Sequence, residues 1–321
     1  PTVFSIGGDG ATYDIGFGAL SRLLSTKTPI KVIVVNTGVY SNTGGQASTS
    51  SLIGQDSDLA RYGAAHAGKT DNRKELGLIA AFHPAVMVVQ TATSIQGHFL
   101  KNVLSALSRT TSPAIIDVYT PCQGEQGIGD DVSSEHARLA VESRTSPVYV
   151  HNPDGGSVLK ERFSLDGNPD VEQDWTTLVL TYKDADGNEQ TKEVPLTPAP
   201  FAHPDGRFKK QFTGKPLADD VNNGVSIDEF IDLSEEERVG KIPFIWEVKK
   251  GKLIRFPVPA QIVRLVEERR RFWRTLQNLA GIDAAKLDEA HQAELDALQS
   301  RYDEAVAEIE ALKGAASSAA E

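Results

Sequence analysis

Apolar runs at 2–6, 30–35, 85–91 and 113–118 mark the first half of the chain, each short and each bounded by polar or Gly-containing segments. Runs of this length without polar alternation read as strands buried on both faces of a parallel sheet. Between them, Tyr13 to Ser25, Arg73 to Phe82 and Ile95 to Ser108 place apolar residues at helical spacing. Strand and helix in alternation predict βαβ units, and so an α/β domain with a doubly wound parallel sheet over residues 1–150. Ser48 to Asp58 is polar and Gly-containing. It reads as a loop, either arching over a site or lying on the surface.

The pattern changes after about residue 150. Thr176 to Tyr182 and Asn188 to Val194 flank Ala185-Asp186-Gly187, which predicts a β-hairpin with an Asp-Gly turn. Pro195 to Pro204 holds four prolines in ten residues and reads as an extended strap. Ser234, followed by Glu235, Glu236 and Glu237, has the makings of a capped helix. The region 151–258 is therefore expected to be an insertion packed on the first domain. The remainder, 259–321, is expected to be helical. Ile262, Leu265, Val266, Phe272, Trp273, Leu276 and Leu279 form one apolar face, and Leu295, Leu298, Tyr302, Ala305, Ile309 and Leu312 form a short heptad stripe after Gly281. A helical hairpin, or docking on a partner, follows from that pair of stripes. Gly314 to Glu321 reads as a disordered tail.

Composition narrows the classes. The chain has 321 residues, 40% of them hydrophobic, enough for a sizeable core. A net charge of -11 argues against nucleic acid as a partner. No apolar run reaches the length of a membrane span, and no signal peptide is visible. One cysteine cannot form an internal disulfide, which places the chain in the cytoplasm. Pro1 is not an initiator Met and the first strand begins at once. The chain is thus expected to be the C-terminal piece of something larger, or one subunit of an assembly.

The chemistry concentrates in two Gly-rich turns at the ends of the first two apolar runs. Gly8-Asp9-Gly10 is followed after 25 residues by Asn36-Thr37-Gly38-Val39-Tyr40-Ser41-Asn42-Thr43-Gly44-Gly45-Gln46. In a doubly wound sheet such turns border the ligand crevice. The Asp9 carboxylate, the Thr37 hydroxyl and the Val39 carbonyl are three hard oxygens suited to Mg²⁺. The seven histidines show no metal-ligand spacing, and no Ser-His-Asp constellation can be drawn.

These two turns, with GGDGATYDIGFGALSRLL and NTGVYSNTGGQAS around them, resemble the thiamine diphosphate (ThDP) domain of pyruvate:ferredoxin (flavodoxin) oxidoreductases. The resemblance covers about residues 1–145. It departs from the family at Asn36 and Gly38, where acidic residues more often flank the Thr. It implies that Asp9, Thr37 and the Val39 carbonyl bind Mg²⁺. Gly8, Gly10, Ala11, Gly38, Tyr40 and Ser41 would surround the cofactor, and Asn42 would point at its reacting end. Asn42 also suits an αL turn before Gly44. Cys122, in Tyr119-Thr120-Pro121-Cys122, reads alone as a small buried hydrophobe. By resemblance it gives one thiolate to a [4Fe–4S] cluster whose other three ligands lie outside this chain.

The implied activity is oxidative decarboxylation of a 2-oxo acid, most naturally pyruvate, to acyl-CoA and CO₂, with electrons leaving through [4Fe–4S] clusters to ferredoxin or flavodoxin. The implied partners are the pyrimidine-binding and ferredoxin-like parts of the enzyme, itself expected to be a homo-oligomer. The acid that activates ThDP is expected on a separate domain, so this polypeptide alone should turn over nothing. A non-redox ThDP decarboxylase or synthase, with Cys122 merely buried, is the rival enzyme reading. A scaffold with a vestigial site is the non-enzymatic one.

Overall fold

The computed structural model describes residues 2–57, 68–218, 220–282 and 299–302. Its central sheet comprises β1 (Val3–Gly8), β2 (Ile30–Asn36), β3 (Met87–Ala92), β4 (Ala114–Tyr119), β5 (Tyr149–His151) and β6 (Phe163–Ser164). They lie in the order β1-β2-β4-β3-β5-β6. The first four are parallel, and β5 and β6 extend the sheet antiparallel. The helices of this half are α1 (Phe17–Leu24), α2 (Leu76–Ala81), α3 (Gln96–Ser108), α4 (Gln123–Gln126) and α5 (Ser133–Glu142).

The strand order explains why helices cover both faces. The chain moves one way across the sheet from β1 to β2 to β3, then steps back to β4. A right-handed crossover that reverses direction must put its helix on the opposite face. Accordingly α1 and α2 bury Leu20, Leu24, Leu76 and Ala80 against Val32, Val34, Val88 and Ile115. On the other face α3 lays Phe99, Val103, Ala106 and Leu107 over Met87, Val89, Ile116 and Val118.

One expectation needs correction here. The run at 2–6 does form a strand, but not a buried one. β1 is an edge strand, with Val3 51%, Phe4 48% and Ile6 69% exposed. Only β2 pairs with it, and α3 covers the sheet over β3 and β4 but not over β1.

Past the sheet, α6 (Leu159–Arg162) leads into β6, and β7 (Thr176–Lys183) pairs with β8 (Glu189–Leu196) as the expected hairpin. The strap is not extended as expected. Thr197 accepts a hydrogen bond from Ala199 N and Pro198 occupies the first turn, so the segment winds into α7 (Pro198–Ala202). A 3₁₀ turn, Gly206–Phe208, follows. β9 (Gly224–Ser226), α8 (Ile227–Phe230), α9 (Glu235–Arg238), β10 (Ile242–Lys249) and β11 (Lys252–Pro257) complete the 151–258 region. Ser234 caps α9 in a capping box with Glu237, as its sequence predicts.

α10 (Ala260–Ala280) ties the parts together. Its first half packs Ile262, Leu265 and Val266 into one core with Phe201, Phe208, Phe230 and Phe256 of the 151–258 region and with Leu52 and Ile53. Its second half packs Phe272, Trp273 and Leu276 under the sheet. The buried Arg269 joins Glu75 (2.6 Å) and Glu268, pinning the helix beside α2. The heptad stripe from Leu295 to Leu312 lies outside the described residues except at 299–302, which are helical. The tail from Gly314 lies outside them altogether.

α3 is docked through a titratable group. His98 is 7% exposed, its Nδ1 lies 3.0 Å from Thr91 Oγ1, and Gly167 abuts its ring. Burial pushes its pKa down from 6.5 to about 4. The unfolded chain then takes up a proton that the folded chain refuses. The contribution of this group to stability is full above pH 6.5 and is lost as the pH falls toward 4. Urea unfolding at pH 7 and pH 5 should differ by on the order of 2 kcal/mol from this group. His98→Gln should remove that increment of the pH slope, and an unchanged slope would contradict a neutral buried ring.

Candidate functional site

β1 and β2 run in parallel register with Gly8 opposite Val35, so the turns that follow them leave the sheet side by side. After Asp9 the chain enters a wide π-helical turn, Gly10–Ile15, in which Gly16 N donates to Ala11 O at 2.7 Å. Such turns recur at functional sites. Asp9 is 1% exposed. Its Oδ1 accepts from Thr37 N (3.3 Å) and Thr37 Oγ1 (3.2 Å), and its Oδ2 accepts from Ser48 Oγ (2.5 Å) and Ser50 Oγ (2.9 Å).

Thr37 Oγ1 is the meeting point of the oxygens. It lies 2.9 Å from the Val39 carbonyl and 2.7 Å from Ser41 Oγ, besides its contact with Asp9. Gly38, at φ +69, turns the Val39 carbonyl back toward Thr37. A carboxylate, a second hydroxyl and a carbonyl thus lie within hydrogen-bond distance of the Thr37 hydroxyl. All four are hard donors of the kind Mg²⁺ prefers, and none is a soft ligand that would favour a thiophilic metal.

The turn is clamped from below. Asn36 Oδ1 accepts from Gly38 N (3.1 Å) and Ser50 Oγ (3.2 Å), and its Nδ2 donates to Asp117 Oδ1 (3.0 Å) and Tyr13 OH (3.1 Å). Tyr13 OH in turn donates to Asp117 Oδ2. Burial raises the Asp117 pKa against the opposing pull of Arg73. An acid at position 36 would set a second carboxylate against Asp117, which gives a physical reason for Asn there. The Gly38 carbonyl accepts from Ser51 Oγ (2.7 Å) and Gln55 Nε2 (2.8 Å), and the Thr37 carbonyl accepts from Arg207 Nη1 (2.9 Å).

Above the turn lies a cavity of about 290 Å³, bordered by every expected cofactor residue except Gly38, which is buried beneath it. Gly10 is required here: a Cβ at that position would fall 2.2 Å from the Tyr40 ring. Tyr40 OH donates to Gly10 O (3.2 Å) and Asp14 Oδ2 (3.0 Å), and burial together with Asp14 pushes its pKa up to about 12. The loop from Tyr40 to Gln46 closes through Tyr40 N to Gln46 O and Gly45 N to Tyr40 O, both 2.9 Å. That leaves Asn42 exposed at the rim of the cavity. A larger cavity of about 740 Å³ adjoins it at Tyr40 and Thr43.

Cys122 lies at the same end of the sheet. Thr120 N donates to Asn36 O at 3.0 Å, and Cys122 stands at the head of α4, partly exposed. The chain holds no second cysteine. Among the described residues, no three His, Cys, Asp or Glu side chains group as a metal site. Three residues of this site escaped sequence reasoning: Ser48 and Ser50, within a segment legible only as a polar loop, and Arg207, which gave no local signal.

Comparison with known proteins adds independent weight. Residues 1–118 match the family model for the thiamine pyrophosphate enzyme C-terminal TPP-binding domain. Pyruvate:ferredoxin oxidoreductase of Moorella thermoacetica is 36% identical over 165 residues, which is 51% of this chain and 14% of that protein. Residues 1–118 thus form a thiamine pyrophosphate-binding domain, and the relatives similar to it are pyruvate oxidoreductases. A probable pyruvate-flavodoxin oxidoreductase of Escherichia coli is 31% identical over 60% of this chain and 16% of its own length. Pyruvate synthase subunit PorB of Thermotoga maritima is 33% identical over 45% of this chain and 44% of its own. The chain thus spans a small fraction of the first two relatives and under half of the third. Among the described residues, no helix is long and apolar enough to cross a membrane.

The enclosure of Asp9 is testable without cofactor. An amide at position 9 accepts on one side only, so Asp9→Asn leaves a pair of buried donors facing an NH₂ group. Urea unfolding in the absence of divalent metal should show a loss of about 1–3 kcal/mol. An undiminished stability would contradict the four-donor cage.

Proposed function

We propose that this chain is the ThDP-diphosphate-binding part of a 2-oxo-acid oxidoreductase that decarboxylates its substrate, most naturally pyruvate, to an acyl-CoA and passes electrons through iron–sulfur clusters to ferredoxin or flavodoxin. The observation that carries the reading is the convergence of Asp9 Oδ1, Val39 O and Ser41 Oγ on Thr37 Oγ1. Asp9, Thr37 and the Val39 carbonyl would hold Mg²⁺, and Mg²⁺ would neutralise the diphosphate at the glycine-lined turn. When bound, ThDP supplies the nucleophilic carbon and electron sink for the 2-oxo acid. The protein's part is to hold and orient. Gly8 and Gly10 let the backbone approach the diphosphate, and Asn42 offers an uncharged amide at the rim for the substrate carboxylate or a developing oxyanion.

Cys122 is the reason for a redox reading. Its place beside the cofactor end of the sheet suits one thiolate of a [4Fe–4S] cluster in a reducing cytoplasm. A cubane cluster needs four such ligands and this chain has one cysteine, so no step is assigned to a cluster held here. The remaining thiolates, the carboxylate that activates the cofactor and the CoA site belong to the rest of the assembly.

Two outcomes follow. In the intact assembly, calorimetric titration should show ThDP binding that depends on Mg²⁺ and weakens at least tenfold in Thr37→Val, which keeps the shape and drops only the hydroxyl. Metal-independent binding, or full binding by the variant, would contradict the ligand assignment. In the same assembly, Cys122→Ser should lower acid-labile sulfide and abolish electron transfer to ferredoxin while ThDP still binds. Unchanged iron and sulfide in the variant would contradict the cluster role of Cys122, and a wild-type assembly without iron and sulfide would favour a non-redox ThDP enzyme.

A further inference from the structure

The insertion reaches into the site through one side chain. Arg207, 170 residues beyond Thr37 in sequence, donates from Nη1 to the Thr37 carbonyl at 2.9 Å. The residue is 4% exposed. Its other nitrogens are committed to Asp205, Nε to Oδ1 at 3.0 Å and Nη2 to Oδ2 at 2.6 Å. Asp205, itself 0% exposed, is held by His136 Nε2 of α5 at 3.1 Å, and the His136 ring stacks on Phe201 of α7. The 3₁₀ turn carrying Arg207 is wedged against α4, where a Cβ on Gly206 would lie 2.8 Å from the Gln126 carbonyl. Arg207 Nη1 also fills the space beside Gly38, 3.1 Å from where a Cβ there would sit.

The Thr37 carbonyl belongs to the peptide plane that leads into Gly38, and Gly38 at φ +69 aims the Val39 carbonyl. Rotation of that plane would carry Thr37 Oγ1 and Val39 O away from their common point. A guanidinium suits the task because its planar fork can pair with a carboxylate on one side and donate to a carbonyl on the other. We propose that Arg207 is a positioning residue for the metal-binding turn, supplied by the insertion and locked by Asp205 and His136. It touches neither metal nor diphosphate; it holds the backbone that presents their ligands. The proposal rests on the ThDP–Mg²⁺ reading above and adds to it a role for the 151–258 region.

The test is Mn²⁺ binding, read by electron paramagnetic resonance on the intact assembly at saturating ThDP. Single loss of Arg207 would strand a buried carboxylate and could unfold the protein. The paired variant Arg207→Met with Asp205→Asn removes both charges together. Arg238→Met, which breaks a half-buried ion pair with Glu267 away from the site, serves as the control for a general loss of stability. The paired variant should bind Mn²⁺ about tenfold more weakly, Arg207→Lys should recover part of that loss, and Arg238→Met should bind as wild type. Wild-type Mn²⁺ affinity in the paired variant, with Asp9→Asn still abolishing binding, would overturn the positioning role alone. So would an equal loss in Arg238→Met. A wild-type protein that binds no Mn²⁺ with ThDP would overturn the site reading and this proposal with it.

Discussion

Asp9 is a carboxylate removed from water, and the architecture around it answers that single fact. A lone buried carboxylate is costly by several kcal/mol, so its four accepting positions must find donors. Two come from Thr37 and two from Ser48 and Ser50. Those donors lie on separate stretches of chain, and satisfying them draws the end of β1, the turn after β2 and the following loop to one point. The same gathering leaves Thr37 Oγ1 among acceptors that outnumber its one hydrogen, a pre-formed oxygen cluster of the kind a divalent cation completes.

The supports of this cluster come from successively greater distances. Asn36, next to the turn, bridges it to Asp117 on β4. Ser51 and Gln55 hold the Gly38 carbonyl from the adjoining loop. Arg207 holds the Thr37 carbonyl from the insertion, with Asp205 and His136 behind it. The 151–258 region shares one hydrophobic core with α5, α10 and the Leu52–Ile53 stretch, which gives Arg207 a rigid platform. The family model ends at residue 118, so this last support lies outside the matched domain.

What could be read from the chain follows from how local each signal is. Glycines on either side of Asp9 and the Thr37-Gly38-Val39 turn are short-range features, and the side-by-side exit of two parallel strands unites them. The α10 face was legible because its period runs over 21 residues. Apolar content, by contrast, cannot tell whether anything covers a strand, and so β1 read as buried when it is an exposed edge. Four prolines read as an extended strap because the cap at Thr197, which turns Pro198 into a helix start, is a weaker cue. Ser48 and Ser50 looked like polar loop, since a hydroxyl that serves a buried acid is indistinguishable in sequence from one that faces water. Arg207 had no signal at all, its partner being a backbone carbonyl far away in the chain.

The central claim is that Asp9, Thr37 and Val39 form one divalent-metal site at the junction of two strand ends. Anomalous diffraction from crystals of the assembly grown with Mn²⁺ and ThDP tests it most directly. The account predicts a metal peak at about 2.0–2.3 Å from Asp9 Oδ1, Thr37 Oγ1 and the Val39 carbonyl, with diphosphate oxygens completing its shell. A peak coordinated by other residues, or bound ThDP with no metal at this turn, would contradict it.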